Sequence, residues 1–464
     1  MIAADANMGR DSLESPAHFD VPLISVADDL RSFAGILTNY AETSLTMHVR
    51  HGFAFRQRLP TPTLCVAHPR HHHRMMRTNV LNYLKSVDYD FLRPILGNGI
   101  FVSEGDFWAR QRRLLSPEFR PSAVNRFLPV LIEAVEGILD AWAKSGRGAE
   151  RDVSDDMMRL TVWGVGGALF HSDFRAEAER IGHALEICLA QGTLMMMSMG
   201  LLKPWMPTPG NRRARRAERD LNTIVRGLIE RHRQGGGEGD MLSRLLHMKD
   251  EETGGSMTGD QLLDEIKSLI LAGHETTSLT LSWAFYLLSQ HPDIEARLVD
   301  EVGSVLGGRA PAVDDLPKLD LTRRVFQETM RLYPPVPTVL RAAKEADSFD
   351  GIDVRAGERI ALNVYATHRH PDLWERPDAF DPDRFAPPRA DKIAPYSYLP
   401  FLLGRRACLG EHFAMLEGVV ALAMLIDRYR LERVDPRPIG TRPISTLRLE
   451  RPLVMRVHPR RPAS

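Results

Sequence analysis

Phe401-Leu402-Leu403-Gly404-Arg405-Arg406-Ala407-Cys408-Leu409-Gly410 sets one cysteine between two glycines, with two arginines just ahead of it. A cysteine thiolate is a strong, soft metal ligand, and nearby backbone N–H groups stabilise it. Glycine tolerates positive φ and close approach, so Gly404 and Gly410 are expected to let the backbone fold tightly around the sulfur. Arg406 adds a fixed cation able to pair with a carboxylate of a bound cofactor. A lone cysteine in a glycine-rich turn is more often a buried structural one. The ten-residue pattern sets this one apart.

The rest of the chain bounds what such a loop can belong to. There are 464 residues, with 60 Lys and Arg against 60 Asp and Glu. No charge excess draws the chain to nucleic acid or to an anionic membrane. The three cysteines, Cys65, Cys188 and Cys408, are too few and too scattered for a disulfide framework or a zinc site. That usage suits a reducing, cytoplasmic setting. Near the N-terminus there is no apolar run of membrane-spanning length and no basic leader, so neither an anchor nor a signal peptide is expected. Residues 1–20 are polar and read as a loose end; residues 21–464 read as one large domain.

Helical periodicity dominates. Ala27–Tyr40 carries Leu30, Phe33, Ile36 and Leu37 on one face, and Ser44–His68 reads as short strands and turns. Pro69 opens a helix running through Met76. Further helices are expected over 106–115, 124–144, 154–170, 176–191, 211–232 and 240–246. The longest runs from about Thr258 to Gln290, opened by the Thr258-x-x-Gln261 capping box and stopped by His291-Pro292. Helices follow near 292–306 and 319–332, strands between Val339 and Asn363, and a last helix from Cys408 to about Tyr429. The fold class is therefore mainly α with small β-sheets.

Four other patterns carry chemistry. Ala272-Gly273-His274-Glu275-Thr276-Thr277 places a glycine and two β-branched threonines in mid-helix, which weakens a helix. A threonine hydroxyl bonding to the carbonyl four residues back can also bend it. Glu328 and Arg331 share a helix face at i and i+3, a spacing that most often marks an exposed ion pair. Trp108 and Arg112 share a face at i and i+4, and an indole N–H and a guanidinium can both bind a carboxylate. His68, His71, His72 and His73 are too close in sequence to face one ion, and an exposed helix beginning at Pro69 accounts for them without metal.

The cysteine stretch resembles the haem-binding loop of the cytochrome P450 family, Phe-x-x-Gly-x-Arg-x-Cys-x-Gly, at all five defining positions. The resemblance implies haem b (iron protoporphyrin IX) with Cys408 as axial thiolate, in a P450 fold with the haem between the long helix and the Cys408 loop. It implies that Phe401, Gly404 and Gly410 shape that loop, and that Trp108, Arg112, Arg341 and Arg406 bind propionates. The 272–277 segment resembles the family's oxygen-binding groove, with Ala272 and Gly273 leaving room over the iron and Glu275 and Thr276 as the acid–alcohol proton relay. Glu328, Arg331 and Arg384 match a structural triad; Pro382-Asp383-Arg384-Phe385 has aspartate where the family has glutamate. Arg110, Arg113 and Arg405 match a basic face for an acidic partner, although such clusters are as often simply solvated.

The implied activity is monooxygenation, one oxygen atom of O2 entering a C–H or C=C bond of a lipophilic molecule such as a terpenoid, fatty acid, steroid or polyketide. Electrons are expected from a separate ferredoxin or flavodoxin with its reductase. Phe91, Leu96 and Ile100, the methionines Met196 and Met199, Leu269 and Ala272 on the long helix, and Val336, Val339 and Leu340 are the candidate pocket residues. Methionines are soft and adaptable, but also ordinary core residues. Three alternatives stay open: a peroxide-driven enzyme, oxidative coupling or rearrangement, and a non-enzymatic haem sensor. The Glu275–Thr276 pair argues against the first and the last.

Overall fold

The structure is a computed structural model describing residues 21–170, 175–198, 201–235, 240–250, 252–442 and 446–460. The N-terminal 20 residues, expected to be loose, lie outside the described residues.

In chain order the helices are α1 (Val26–Thr38), α2 (Tyr40–His51), α3 (Pro69–His73), α4 (Gly105–Leu115), α5 (Leu128–Ser145), α6 (Val153–Phe170), α7 (Arg175–Met197), α8 (Pro209–Gly235), α9 (Met241–His247), α10 (Gly259–Leu288), α11 (Pro292–Leu306), α12 (Asp320–Leu332), α13 (Val364–Arg369) and α14 (Glu411–Arg428), with shorter turns between them. The strands are β1 (Ala54–Gln57), β2 (Thr63–Val66), β3 (Tyr83–Lys85), β4 (Ala149–Asp152), β5 (Val339–Ala343), β6 (Asp347–Phe349), β7 (Ile352–Val354), β8 (Arg359–Leu362), β9 (Tyr429–Arg433) and β10 (Val454–Pro459). The expected class, mainly α with small sheets, is the one observed.

Contacts divide the chain into two compact units, each assembled from several stretches. One takes residues up to Ser86, Met330–Cys408 and Thr441–Arg448; the other takes Val87–Thr329, Leu409–Gly440 and the residues from Leu449 on.

The first unit is built on a five-stranded sheet in the order β1-β2-β8-β5-β3. The β2–β8 pair is parallel and the rest antiparallel. Side chains alternate across such a sheet. Leu64, Val66, Val339, Ile360 and Leu362 build one core, while Phe55, Cys65 and Ala361 build another with Ile24 and Met47. Two sequence expectations change here. Residues 44–51, read as strand and turn, belong to α2. The Asn39 side chain caps that helix by accepting from Glu42 N–H, and Gly52 at φ +88° ends it, so the extended chain starts only at Ala54. On α1, Leu30 is 55% exposed while Asp28, Asp29 and Ser32 are buried. Ser25 caps Asp28, and Arg58 pairs with Asp29 at 2.5 Å, so these carboxylates are compensated inside.

The histidine run is a third correction. α3 does begin at Pro69, but His71 and His72 are fully buried rather than exposed. His72 Nε2 lies 2.8 Å from Thr367 Oγ1, and His71 packs by its ring against His68 and Phe349. Burial holds His72, His48 and His368 down at about 3 and His68 at about 4, so all are neutral imidazoles. Among the described residues no set of three or more His, Cys, Asp or Glu is arranged to hold a metal ion.

The second unit is helical. α6 packs on α10 and α5, α7 on α8, and α14 on α5. A three-stranded sheet runs in the order β4-β10-β9. The capping box that opens α10 is complete: Gln261 N–H donates to Thr258 Oγ1 and Thr258 N–H to Gln261 Oε1. Most of α10 is buried, its polar middle His274, Glu275, Thr277 and Ser278 included. Among the described residues no helix is long and apolar enough to cross a membrane.

Candidate active site

In the first unit the cysteine loop is tied by its own backbone. Cys408 N–H donates to Phe401 O at 2.7 Å, and Ala407 N–H to Gly404 O at 3.0 Å. Gly404 is required twice over. Its φ is +67°, and a Cβ there would lie 2.3 Å from the carbonyl oxygen of Met76. Gly410 is different: its φ is −88°, and nothing lies within 4 Å of an added Cβ. The tight fold expected of both glycines thus rests on Gly404 alone, with Leu402 at φ +61° making the other sharp bend.

The three thiols differ in kind. Cys65 and Cys188 are buried, and burial pushes each up to about 12. Cys408 is exposed.

Arg341 lies on β5, nearly buried, with Nη1 donating to Leu340 O; Arg406 is half-buried beside the cysteine. Val339 and its neighbour Leu340 point to opposite faces of the sheet, each into a different core cluster, and Val336 packs with Val339. Arg331 is fully buried, not the exposed ion-pair member its spacing alone suggests. Its guanidinium donates to the carbonyls of His368, Pro377 and Ala379 and lies 5.0 Å from the Trp374 ring. Arg384 caps the neighbouring turn by donating to Arg376 O. Glu328, in the other unit, is equally buried.

In the second unit the middle of α10 has an opening beyond its exposed first turn. Ala272 is exposed and Gly273 and Thr276 are half-buried, between buried neighbours on both sides. The helix is nonetheless continuous. Thr276 Oγ1 donates to Ala272 O at 3.0 Å, and Thr280 repeats the bond to Thr276 O. The two small residues have different jobs. A Cβ on Gly273 would sit 2.6 Å from Val165 Cγ2, so this glycine admits α6. Thr161 of α6 donates to His274 O in the same seam. Glu275 is buried, and Leu269 is buried one turn before Ala272.

Trp108 is buried and Arg112 half-buried on α4. The neighbouring arginines of α4 are engaged: Arg113 pairs with Asp250 and Glu252, and Arg110 donates to Ser256 O. These contacts tie α4 to Asp250, Glu252 and Ser256.

The segment that carries the candidate pocket residues Leu96 and Ile100 is stapled to α10. Asn98 and Ile100 N–H groups donate to the carboxylates of Asp264 and Glu265, each at 2.9 Å. A Cβ on Gly97 or Gly99 would collide with Asp264 or Ser268 at 2.1 Å. Leu96 is fully buried, and Phe91 packs on Gly192 of α7. Met199 and the Met196 side chain lie outside the described residues.

Sequence reasoning missed Glu417. It is fully buried on α14, and burial holds its carboxyl protonated, well above the usual carboxylate range. The Thr277 hydroxyl is its polar neighbour, but among the described residues neither Glu417 oxygen nor Thr277 Oγ1 completes a well-formed hydrogen bond. Gly164 makes the space, since a Cβ there would lie 2.4 Å from Glu417 Oε1. One acid inside the apolar run 413–426 was the available signal.

A mainly helical fold, an exposed cysteine on a glycine-turned loop in one unit and an opening beside Thr276 in the other are each features of a haem-thiolate oxygenase. Comparison with known proteins agrees. The family model described as Cytochrome P450 matches residues 46–457. Cyclooctatin synthase of Streptomyces melanosporofaciens is 37% identical, over 76% of this chain and 77% of that protein. Cyclooctat-9-en-7-ol 5-monooxygenase of the same organism is 33% identical over 83% of each. The crystal structure of the cytochrome P450DA heme domain superposes with a TM-score of 0.83 at 27% identity, covering 93% of this chain and 95% of that one. The chain belongs to the cytochrome P450 family. It is a monooxygenase, and its cofactor is haem held by a cysteine thiolate. The residues fit that cofactor, because Cys408 is exposed while Cys65 and Cys188 are buried and held protonated.

Proposed function

We propose that this enzyme inserts one oxygen atom of O2 into a C–H or C=C bond of a lipophilic cyclic terpenoid, with electrons from a separate ferredoxin or flavodoxin and its reductase. The observation that carries the assignment of the site is the contrast between exposed Cys408 and buried Cys65 and Cys188. The substrate class is supported by relatives, one of whose names specifies oxygenation of cyclooctat-9-en-7-ol.

Cys408 Sγ would ligate the iron, and Trp108, Arg112, Arg341 and Arg406 would hold the propionates. Haem bound in this way supplies the activation of dioxygen by two successive electrons. The protein's own part is proton handling and positioning. Thr276 donates its hydroxyl proton to Ala272 O, which leaves its oxygen lone pairs able to accept from a second donor. Glu275 is the adjacent acid that resupplies the proton. Apolar side chains select which carbon is presented. Arg331 and Arg384, bonded to main-chain carbonyls, brace the segment leading to the cysteine loop.

The test is the spectrum of the reduced protein with carbon monoxide, for wild type and Cys408→Ala, followed by titration of the ferric protein with cyclic terpenoids, fatty acids and steroids. A thiolate-type band that vanishes in Cys408→Ala, with iron-bound water displaced by the terpenoids, is the expected result. A band that survives the substitution moves the ligand elsewhere; a response to fatty acids alone removes the terpenoid.

A further inference from the structure

α7 and α8 run antiparallel. Gln191 donates to Asn211 Oδ1 at 2.8 Å, and the Cys188 thiol reaches Ala214 O at 3.6 Å. Towards the start of α7 and the end of α8 the seam opens into a hollow of about 320 Å³. Two alanines explain it: Ala184 and Ala217 face the hollow where longer side chains would interdigitate. Both are buried, as is Ile224, so the floor is apolar.

The rim is cationic. Arg213 and Arg216 are three residues apart on one face of α8, and Arg180 stands on α7. All three are exposed, and among the described residues none has an ion pair or side-chain hydrogen bond. Arginines elsewhere on α8 are engaged: Arg215 with Pro204 O, Arg226 with Asp260 and Arg231 with Glu177. Arg213 and Arg216, beside the hollow, are unengaged among the described residues, as is Arg212, which does not line it. The carboxylate facing it is Asp220, one turn beyond Arg216.

We propose that this hollow binds an amphiphilic anion, a carboxylate or phosphate carrying one apolar chain. A planar guanidinium fork matches either head group. Asp220 repels an anion from its own end, so the head sits between Arg213 and Arg216 and the chain lies over the alanine floor. A volume of about 320 Å³ is within the range of small-molecule pockets, about 300–1,000 Å³. An inorganic anion forgoes the floor, and a neutral alcohol of the same chain forgoes the arginines. The site uses neither Cys408 nor Thr276, so it stands apart from the oxygenase reaction.

The test is calorimetric titration of the ferric holoenzyme, its haem pocket first saturated with a tight azole, using dodecanoate, dodecyl phosphate and dodecanol. One saturable site for the two anions is expected. Binding should weaken about tenfold or more for dodecanol, and likewise in Arg213→Glu/Arg216→Glu, whose changes are on exposed side chains. Ala217→Leu should fill the floor and abolish binding. Absence of saturable binding, or equal affinity in the charge-reversed variant, overturns the proposal. Because the haem pocket is blocked, neither result depends on turnover.

Discussion

Thr276 is held by a bond to its own helix, so its loss should leave the helix standing. Thr276→Ala is expected to bind haem as wild type does, yet to consume electrons without forming product in proportion. Unchanged coupling of reductant to product would take the relay away from this residue. Glu417 makes a different statement. A carboxyl kept neutral by burial is mimicked by an amide. Glu417→Gln should cost no more than about 1 kcal/mol, whereas Glu417→Lys should prevent folding. The infrared carbonyl band of a protonated acid should disappear in Glu417→Gln at pH 7; its absence from wild type would mean that the group is ionised. The need for glycine at Gly404 was legible in the sequence because it is written in the residues around Cys408. Glu417 was not, because its neighbours Gly164 and Thr277 come from two other helices. Gly410 shows the opposite error, a residue read as conformationally necessary that has an ordinary φ of −88°.

The elements themselves were mostly readable, since 3.6-residue periodicity and caps are local. α10 shows this, its Thr258–Gln261 box marking the start within a residue of the observed one. α2 was misread because nearby prolines and alternation outweighed the weak amphipathicity of residues 44–51. The packing between elements was not readable at all. Gly273 looked like a fault in a helix, but it is the contact point for Val165 of α6, 2.6 Å from where a Cβ would stand. Gly273→Ala should therefore destabilise by about 1–3 kcal/mol through overpacking. Val165→Ala in the same chain should recover part of that loss. The double-mutant cycle from denaturant melts measures the coupling, and strict additivity would show that the two helices do not meet there.

For the molecule as a whole, acidity is the condition to which the fold is most exposed. His48, His72 and His368 are fully buried in the first unit, and burial lowers each from 6.5 to about 3. Above pH about 6.5 these imidazoles are neutral whether folded or unfolded, so they carry no penalty. As the pH falls below that, the unfolded chain takes up protons that the folded chain refuses. Stability is then lost at up to about 1.4 kcal/mol per pH unit per histidine. Glu417, raised in the second unit, has the reverse sign: the stability it contributes is present below its unfolded value of 4.5 and lost as pH rises. Melts between pH 7.5 and 5, with hydrogen exchange, should show the first unit loosening before the second. A flat profile would mean that the histidines are hydrated in the native state. The interleaving of the two units also bears on how the protein is made. β2 ends at Val66, yet its parallel partner β8 begins only at Arg359, and the largest stretch of the second unit, Val87–Thr329, is encoded between them. At about 5–20 residues per second, a ribosome leaves that strand edge without its mate for roughly 15–60 s, long enough for it to need shielding from other nascent chains.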